Sequence, residues 1–362
     1  MSGLFGSGAS SSSSAANNTT GDISKDVALS NPPEDGISDL SFSPQSEHLA
    51  VASWDKKVRI YEINAQGGSE GKALFEHEAP VLSCCWSKDG RQVIGGGADK
   101  AARLLDLGAG GAAQQVAVHD QPIRACRMVD VPGQATQVLV TGSWDKTVKY
   151  WDLRTSNPVA TVPCQERVYS IDSKDKMLVI GTADRYINVV SLDKPTEFYK
   201  TMQSPLKWQT RVVTCFSDAT GFAVGSIEGR CAIQYVEDKD SSSNFSFKCH
   251  RQTPPGSRDQ SNVYSVNAIS FHPVHGTFST AGSDGTFHFW DKDAKHRLKG
   301  YPEVGGTISS TAFNRNGNVF AYAVSYDWSK GYANNTPQGV NKVMLHAVQP
   351  DECKPRPKVP KR

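Results

Sequence analysis

The chain has 362 residues, with 39 Lys and Arg against 37 Asp and Glu and a formal net charge of +2, so any charge-based function must come from how the charges are distributed. Hydrophobic residues make up 38%, and the 31 glycines bring the chain near the ordinary globular range. No apolar run approaches the ~18 residues of a membrane span, and the Gly/Ser/Asn-rich start lacks the apolar centre of a secretory signal. The eight cysteines include no C-x-x-C pair, and Cys84, Cys85, Cys126 and Cys215 fall on predicted inner strands as buried small hydrophobes, which implies a reducing compartment rather than a disulfide framework.

In chain order, residues 1–25 are low in complexity and are expected to be disordered. Asp26–Ser30 follows as a short predicted strand. Then a hairpin signature begins to recur, each time centred on an acidic turn. It reads S-W-D-K-K-V-R-I-Y-E around Asp55 and G-A-D-K-A-A-R-L-L-D around Asp99. It returns as G-S-W-D-K-T-V-K-Y-W-D around Asp145 and T-A-D-R-Y-I-N-V-V-S around Asp184. Glu228, Asp284 and Asp327 continue the series. The spacing matches the roughly 40–45 residues of a WD40 blade. One longer step, between Glu228 and Asp284, marks an insertion near 238–262. An inner strand precedes each turn: Ile37–Phe42, Val81–Trp86, Ile123–Met128, Val168–Ser173, Val212–Phe216, Val266–Phe271 and Ile308–Phe313. Seven turns predict an all-β, seven-bladed WD40 β-propeller over 26–349. An open ring would leave a bare sheet edge, so Asp26–Ser30 is predicted to complete the last blade.

His119, Ser143, Asp145 and Trp151 resemble the hydrogen-bonded tetrad that staples one WD40 blade. Trp54 and Trp144 stand just before their turn acids, and Tyr326 stands before Asp327. Because propeller turns crown one face, these aromatics predict a contact surface. Charged residues share the turns: Lys56, Lys57, Lys146, Arg185, Arg230 and Lys330. Arg is the better carboxylate clamp, so an aromatic rim with Arg185 and Arg230 suits an acidic peptide. Farther on, Phe247, Lys248, Trp290, Lys292, Lys295, Arg297 and Lys299 come from neighbouring blades. They predict a basic-aromatic strip for single-stranded RNA, by phosphate neutralisation and base stacking. Beyond Asp327, Trp328 opens a long loop before the strand Asn341–Val348. Residues 350–362 form a basic, Pro-rich tail suited to nuclear localisation or phosphate binding.

S-W-D-K in two blades, S-I-E-G-R at 226–230, F-K-C-H-R at 247–251, F-H-P-V-H-G at 271–276, F-W-D-K-D-A at 289–294 and Y-D-W-S-K-G at 326–331 together resemble the mRNA export factor family of nuclear-pore-associated propellers. The start Gly3-Leu4-Phe5-Gly6 is the cohesive unit of some nuclear-pore repeats. The resemblance implies a partner, the acidic GLEBS hairpin of a nucleoporin with G-L-F-G repeats. Trp54, Trp144, Arg185, Glu228 and Arg230 match family positions on the binding face, and Tyr326 and Trp328 join them. It also implies contact with RNA or mRNP, a place in the nucleus and at the nuclear envelope with shuttling to the cytoplasm, and a mitotic role. The alternative is a mitotic-checkpoint adaptor that recruits kinases through GLEBS-like segments. An enzyme is not expected. G-x-x-x-x-G-K-[ST] and H-E-x-x-H are missing. His272 and His275 lack further ligands at metal spacing, so no metal or cofactor is expected.

Overall fold

The computed structural model describes residues 19–64, 67–257, 259–336 and 339–355. Among these residues, seven four-stranded antiparallel sheets and one two-stranded hairpin form a seven-bladed β-propeller. The inner strands are Ile37–Phe42, Val81–Trp86, Ile123–Val129, Val168–Lys174, Thr210–Cys215, Val266–Phe271 and Ile308–Phe313. They line a central channel. The insertion between blades five and six supplies the outer strand Phe245–Lys248 and then the small hairpin of Arg251–Gln252 with Asn262–Val263.

No single core holds the ring. Each adjacent pair of blades encloses its own apolar cluster, as Val140, Val148 and Tyr150 of blade three do with Val168, Ile171 and Ile180 of blade four. The second strands, such as Val138–Ser143 and Gly221–Ser226, are buried throughout because a blade lies on either side. That sandwiching explains their small residues. A Cβ on Gly142 would stand 2.5 Å from Ile171 Cδ1, and one on Gly225 would stand 2.9 Å from both Val212 and Val266.

The ring closes as predicted. Val27–Ala28 pairs antiparallel with Lys342–Ala347, in register Val27 to Leu345 and Ala28 to Met344. Two paired residues make few backbone bonds, and side chains reinforce the seam. Leu29 is buried, and its N–H donates to the Val343 carbonyl at 2.9 Å. Asp26 accepts from His346 Nδ1 at 2.6 Å and from the Tyr322 hydroxyl at 2.7 Å. His346 Nε2 meets Glu352 at 3.1 Å.

The limits drawn at 26 and 349 prove too tight. Gly300 N–H donates to the Thr19 carbonyl and Gly21 N–H to the Gly300 carbonyl, both at 2.8 Å. The short helix Pro350–Cys353 is docked as well. Ile23 and buried Cys353 fill the apolar space between blades six and seven, so ordered chain continues past both limits. Gly3-Leu4-Phe5-Gly6 and residues 356–362 of the basic tail lie outside the described residues.

Candidate functional site on the turn face

The turns of blades one, two, three and six are built by the same local chemistry, the acid accepting from the amide two residues on. In blade three the Asp145 carboxylate accepts from Thr147 N–H at 2.9 Å, and Asp145 N–H donates to Ser143 Oγ at 3.1 Å. Lys146 adopts a left-handed φ of 67°. The residue before the acid bonds back to its own inner strand. Trp54 N–H donates to the Gly36 carbonyl at 2.8 Å, and Trp144 N–H to that of Pro122 at 3.1 Å. These bonds anchor the backbone and leave both indoles at the turn face.

The tetrad differs from its sequence reading in one member. Trp151 Nε1–H donates to Thr141 Oγ1 at 2.8 Å, and that hydroxyl meets His119 Nε2 at 2.8 Å. His119 Nδ1–H then donates to Asp145 at 2.8 Å. Thr141, not Ser143, is therefore the hydroxyl of the chain. Ser143 lies two residues nearer the turn and donates to the Gln121 carbonyl at 3.0 Å. Burial pushes His119 below its ordinary value against the pull of Asp145. Burial alone would raise Asp145, but Thr147 and His119 hold it low. The result is a neutral, buried imidazole clamped on both sides, which explains the triad-like look of these residues as stapling. Blade six repeats it with Trp290, Thr280, His250 and Asp284 at 2.8–2.9 Å. His250, Asp284 and His288 also lie close enough to suggest a metal, but both nitrogens of His250 already serve the staple.

Ring closure assembles the centre of the site. Trp54 of blade one stacks on Trp328 of blade seven with ring centroids 4.1 Å apart, and Tyr326 lies 5.5 Å from Trp328. Tyr326 is not equivalent to Trp54, however. Ile308 pairs with Val324, and Ser325 N–H bonds to the Thr307 carbonyl as Trp54 N–H does to Gly36. Ser325 thus fills the slot of Trp54, and the last turn mark is displaced by one residue because a long loop replaces the tight turn there. Trp328 has φ 62°, a left-handed conformation that strains a bulky residue by about 1–3 kcal/mol. Trp144 stands alone in blade three, 38% exposed and without a ring neighbour among the described residues.

Arg185 donates to the Leu206 carbonyl at 3.0 Å and to Gln203 at 3.2 Å, and Arg230 to Ser246 at 3.3 Å. Both guanidinium groups are held by their own blades while remaining part-exposed. Glu228 accepts from Lys207 N–H at 3.1 Å, so it shapes the loop beside it. That loop carries Trp208, 60% exposed, and the N–H of Ile227, itself 38% exposed, donates to the carbonyl of the neighbouring Gln209 at 3.1 Å. The sequence reading missed both. The signal for Trp208 was K-W-Q, an aromatic among polar residues in a connection between blades.

The basic-aromatic strip comes together only in part. Phe247 packs on Trp290 with centroids 4.5 Å apart, so these rings share the seam between blades five and six. Lys295 sits 4.9 Å from the Phe245 ring, and Arg297 pairs opposite Trp290. Lys248, Lys295 and Arg297 are exposed. Lys292 is not available: it is 6% exposed, held over Phe216 and bound to Asp293 at 2.8 Å. Lys299 pairs opposite Phe289, on the side of the blade facing blade seven, and binds Asp351 at 3.3 Å. Strand alternation carries it away from Trp290.

The channel contains two carboxylates, Asp39 and Asp172. Asp39 accepts from Ser83 Oγ and Cys84 N–H, and Asp172 from Arg127 and Cys215 N–H. Both act as structural acceptors. Among the described residues, no helix is long and apolar enough to cross a membrane.

The WD domain, G-beta repeat model matches residues 28–62, 68–106, 114–152 and 248–291. The chain is 64% identical to the mRNA export factor GLE2 of Chaetomium thermophilum, over 100% of both chains. The chain belongs to the mRNA export factor family. It is also 57% identical to the Poly(A)+ RNA export protein of Schizosaccharomyces pombe, over 98% of this chain and 99% of that one. Protein Rae1 of Drosophila melanogaster is 46% identical over 91% and 96%. In this export-factor propeller the unmatched blades four, five and seven still form complete sheets. They carry Arg185 and the Trp328 loop, where the repeat signature has drifted furthest.

Proposed function

We propose that the chain is a non-enzymatic adaptor in mRNA export that acts at the nuclear pore complex and shuttles between nucleus and cytoplasm. Its turn face docks the acidic GLEBS hairpin of a nucleoporin, and its basic flank adds affinity for single-stranded RNA. The observation that carries this reading is the stacked Trp54–Trp328 pair with Tyr326 beside it, on the same face as Arg185, Arg230 and Trp144. Rigid aromatic anchors beside fixed guanidinium groups are the chemistry that recognises a short acidic peptide. A checkpoint adaptor would use the same face, with a kinase as its end partner.

Reversing Arg185→Glu and Arg230→Glu together sets like charge against the peptide's carboxylates. We expect calorimetric binding of an acidic GLEBS peptide to disappear while the melting temperature stays nearly unchanged. Unaltered affinity would remove this face as the docking site. For RNA, we expect the triple change Lys248→Ala, Lys295→Ala and Arg297→Ala to flatten the dependence of log K on log salt by about one unit for each phosphate no longer neutralised. An unchanged slope would place RNA binding elsewhere.

A further inference from the structure

The channel beneath the turn face has a feature that peptide docking does not use. Two arginines, Arg124 of blade three and Arg211 of blade five, line it at its turn-face end, each one residue into its inner strand. Tyr169 of blade four lies between them in the order of blades. Arg124 donates from Nη1 to the Leu82 carbonyl at 3.2 Å. Arg211 donates from Nη2 to Asn267 Oδ1 at 3.2 Å and toward the Asp327 carbonyl at 3.4 Å. Neither makes an ion pair among the described residues.

The nearby carboxylates are spent on other donors. Asp39 takes Ser83 Oγ, Cys84 N–H, Leu40 N–H and the more distant Ser310 Oγ. Asp327 takes Asn267 Nδ2 at 2.9 Å, the Ser283 hydroxyl and Ser329 N–H. Asp172 takes Arg127, the third channel arginine. A guanidinium has five N–H donors in a planar fork, and most of those on Arg124 and Arg211 have no acceptor among the described residues. Burial lowers both arginines from their ordinary value, and Arg211 and Arg127 push Arg124 further down against the attraction of Asp39. Cations fixed in a protein-walled cavity, with donors to spare, attract an anion that supplies the missing acceptors.

We propose that the turn-face end of the channel is an anion site for a small phosphate compound carrying at least two negative charges. The cavity of ≈ 330 Å³ is at the small end of ligand pockets and suits a phosphate or diphosphate group better than a nucleic-acid strand. Carboxylate-bearing peptides would meet the same arginines only by inserting a side chain, so an inorganic probe separates this site from peptide docking.

Inorganic pyrophosphate titrated calorimetrically into the full-length protein at low salt tests it. We expect saturable binding to the parent. We expect at least about a tenfold loss of affinity in the double variant Arg124→Gln, Arg211→Gln. Arg124→Lys should fall between them, because it keeps the charge but loses the fork. Lys176→Gln, at an exposed lysine paired with Asp193, should bind like the parent. Since removing an uncompensated cation relieves repulsion, the melting temperature of Arg124→Gln without ligand should equal or exceed that of the parent. No saturable heat with the parent up to about 10 mM pyrophosphate, or a double variant that titrates like the parent, overturns the proposal. Should the double variant not fold, parent-like affinity in the single variant Arg124→Gln overturns it equally.

Discussion

Replacing His346 by Leu is expected to weaken the propeller more than any surface change. The imidazolium lies between the carboxylates of Asp26, on the N-terminal strand, and Glu352, on the C-terminal helix. Removing one member of a buried charged network leaves the others uncompensated and typically costs about 3–5 kcal/mol. The loss falls on the seam, where only Val27 and Ala28 pair with the last strand.

The pH dependence follows from the same contacts. Burial pushes His346 down, but the hydrogen bonds and charges of Asp26 and Glu352 outweigh it and raise the group from 6.5 to about 9. The folded state therefore keeps a proton that the unfolded chain releases near pH 6.5. The stabilisation is complete below that pH and is lost as pH rises through about 9, on the order of 3 kcal/mol in all. Glu352 moves oppositely. Burial would raise it, but His346 and the Gln349 amide hold it below its ordinary 4.5. Its contribution is present above that value and fades as pH falls through its lowered one. Urea unfolding of the parent should show an alkaline decline between about pH 7 and 9.5 that His346→Leu flattens. Parallel declines in parent and variant would rule out the clasp as the titrating element.

The second large effect concerns binding. Trp328→Gly removes the ring that Trp54 stacks upon, and we expect it to cost an acidic docking peptide about 2–4 kcal/mol, as hot-spot aromatics do. Fold stability should hold or rise. Glycine accepts the left-handed φ of 62° without strain, which offsets the lost stacking. Trp144→Ala should cost less, since that indole has no ring partner among the described residues. Paired calorimetry and thermal unfolding separate the two effects. Retained affinity in Trp328→Gly would show that the stack is a structural lid over the blade seam and not an anchor.

The repeats were legible in the sequence because they rest on local chemistry. An acid that accepts from the amide two residues on, a left-handed residue after it and alternating strands around it need no distant partner. Asp55, Asp99, Asp145 and Asp284 therefore marked their hairpins correctly, Asp184 and Glu228 hold the equivalent positions without that bond, and the closing strand could be placed by the need to cover an edge. Blade seven shows the limit, since a loop in place of the tight turn shifted its Asp327 mark by one residue. What the sequence could not decide was which side chains meet across blades. Trp54 and Trp328 are neighbours only because the ring closes. Lys292 and Lys299 read like Lys295 and Arg297, but a bulge between Phe289 and Trp290 and the positions of Phe216 and Asp351 remove them from the strip. Thr141 took the place of Ser143 in the staple because strand pairing set its hydroxyl between His119 and Trp151. Arg124 and Arg211 looked like ordinary polar residues on inner strands until seven such strands enclosed a channel. Hairpin chemistry is local in sequence, whereas the sites are made by the packing of one blade on the next.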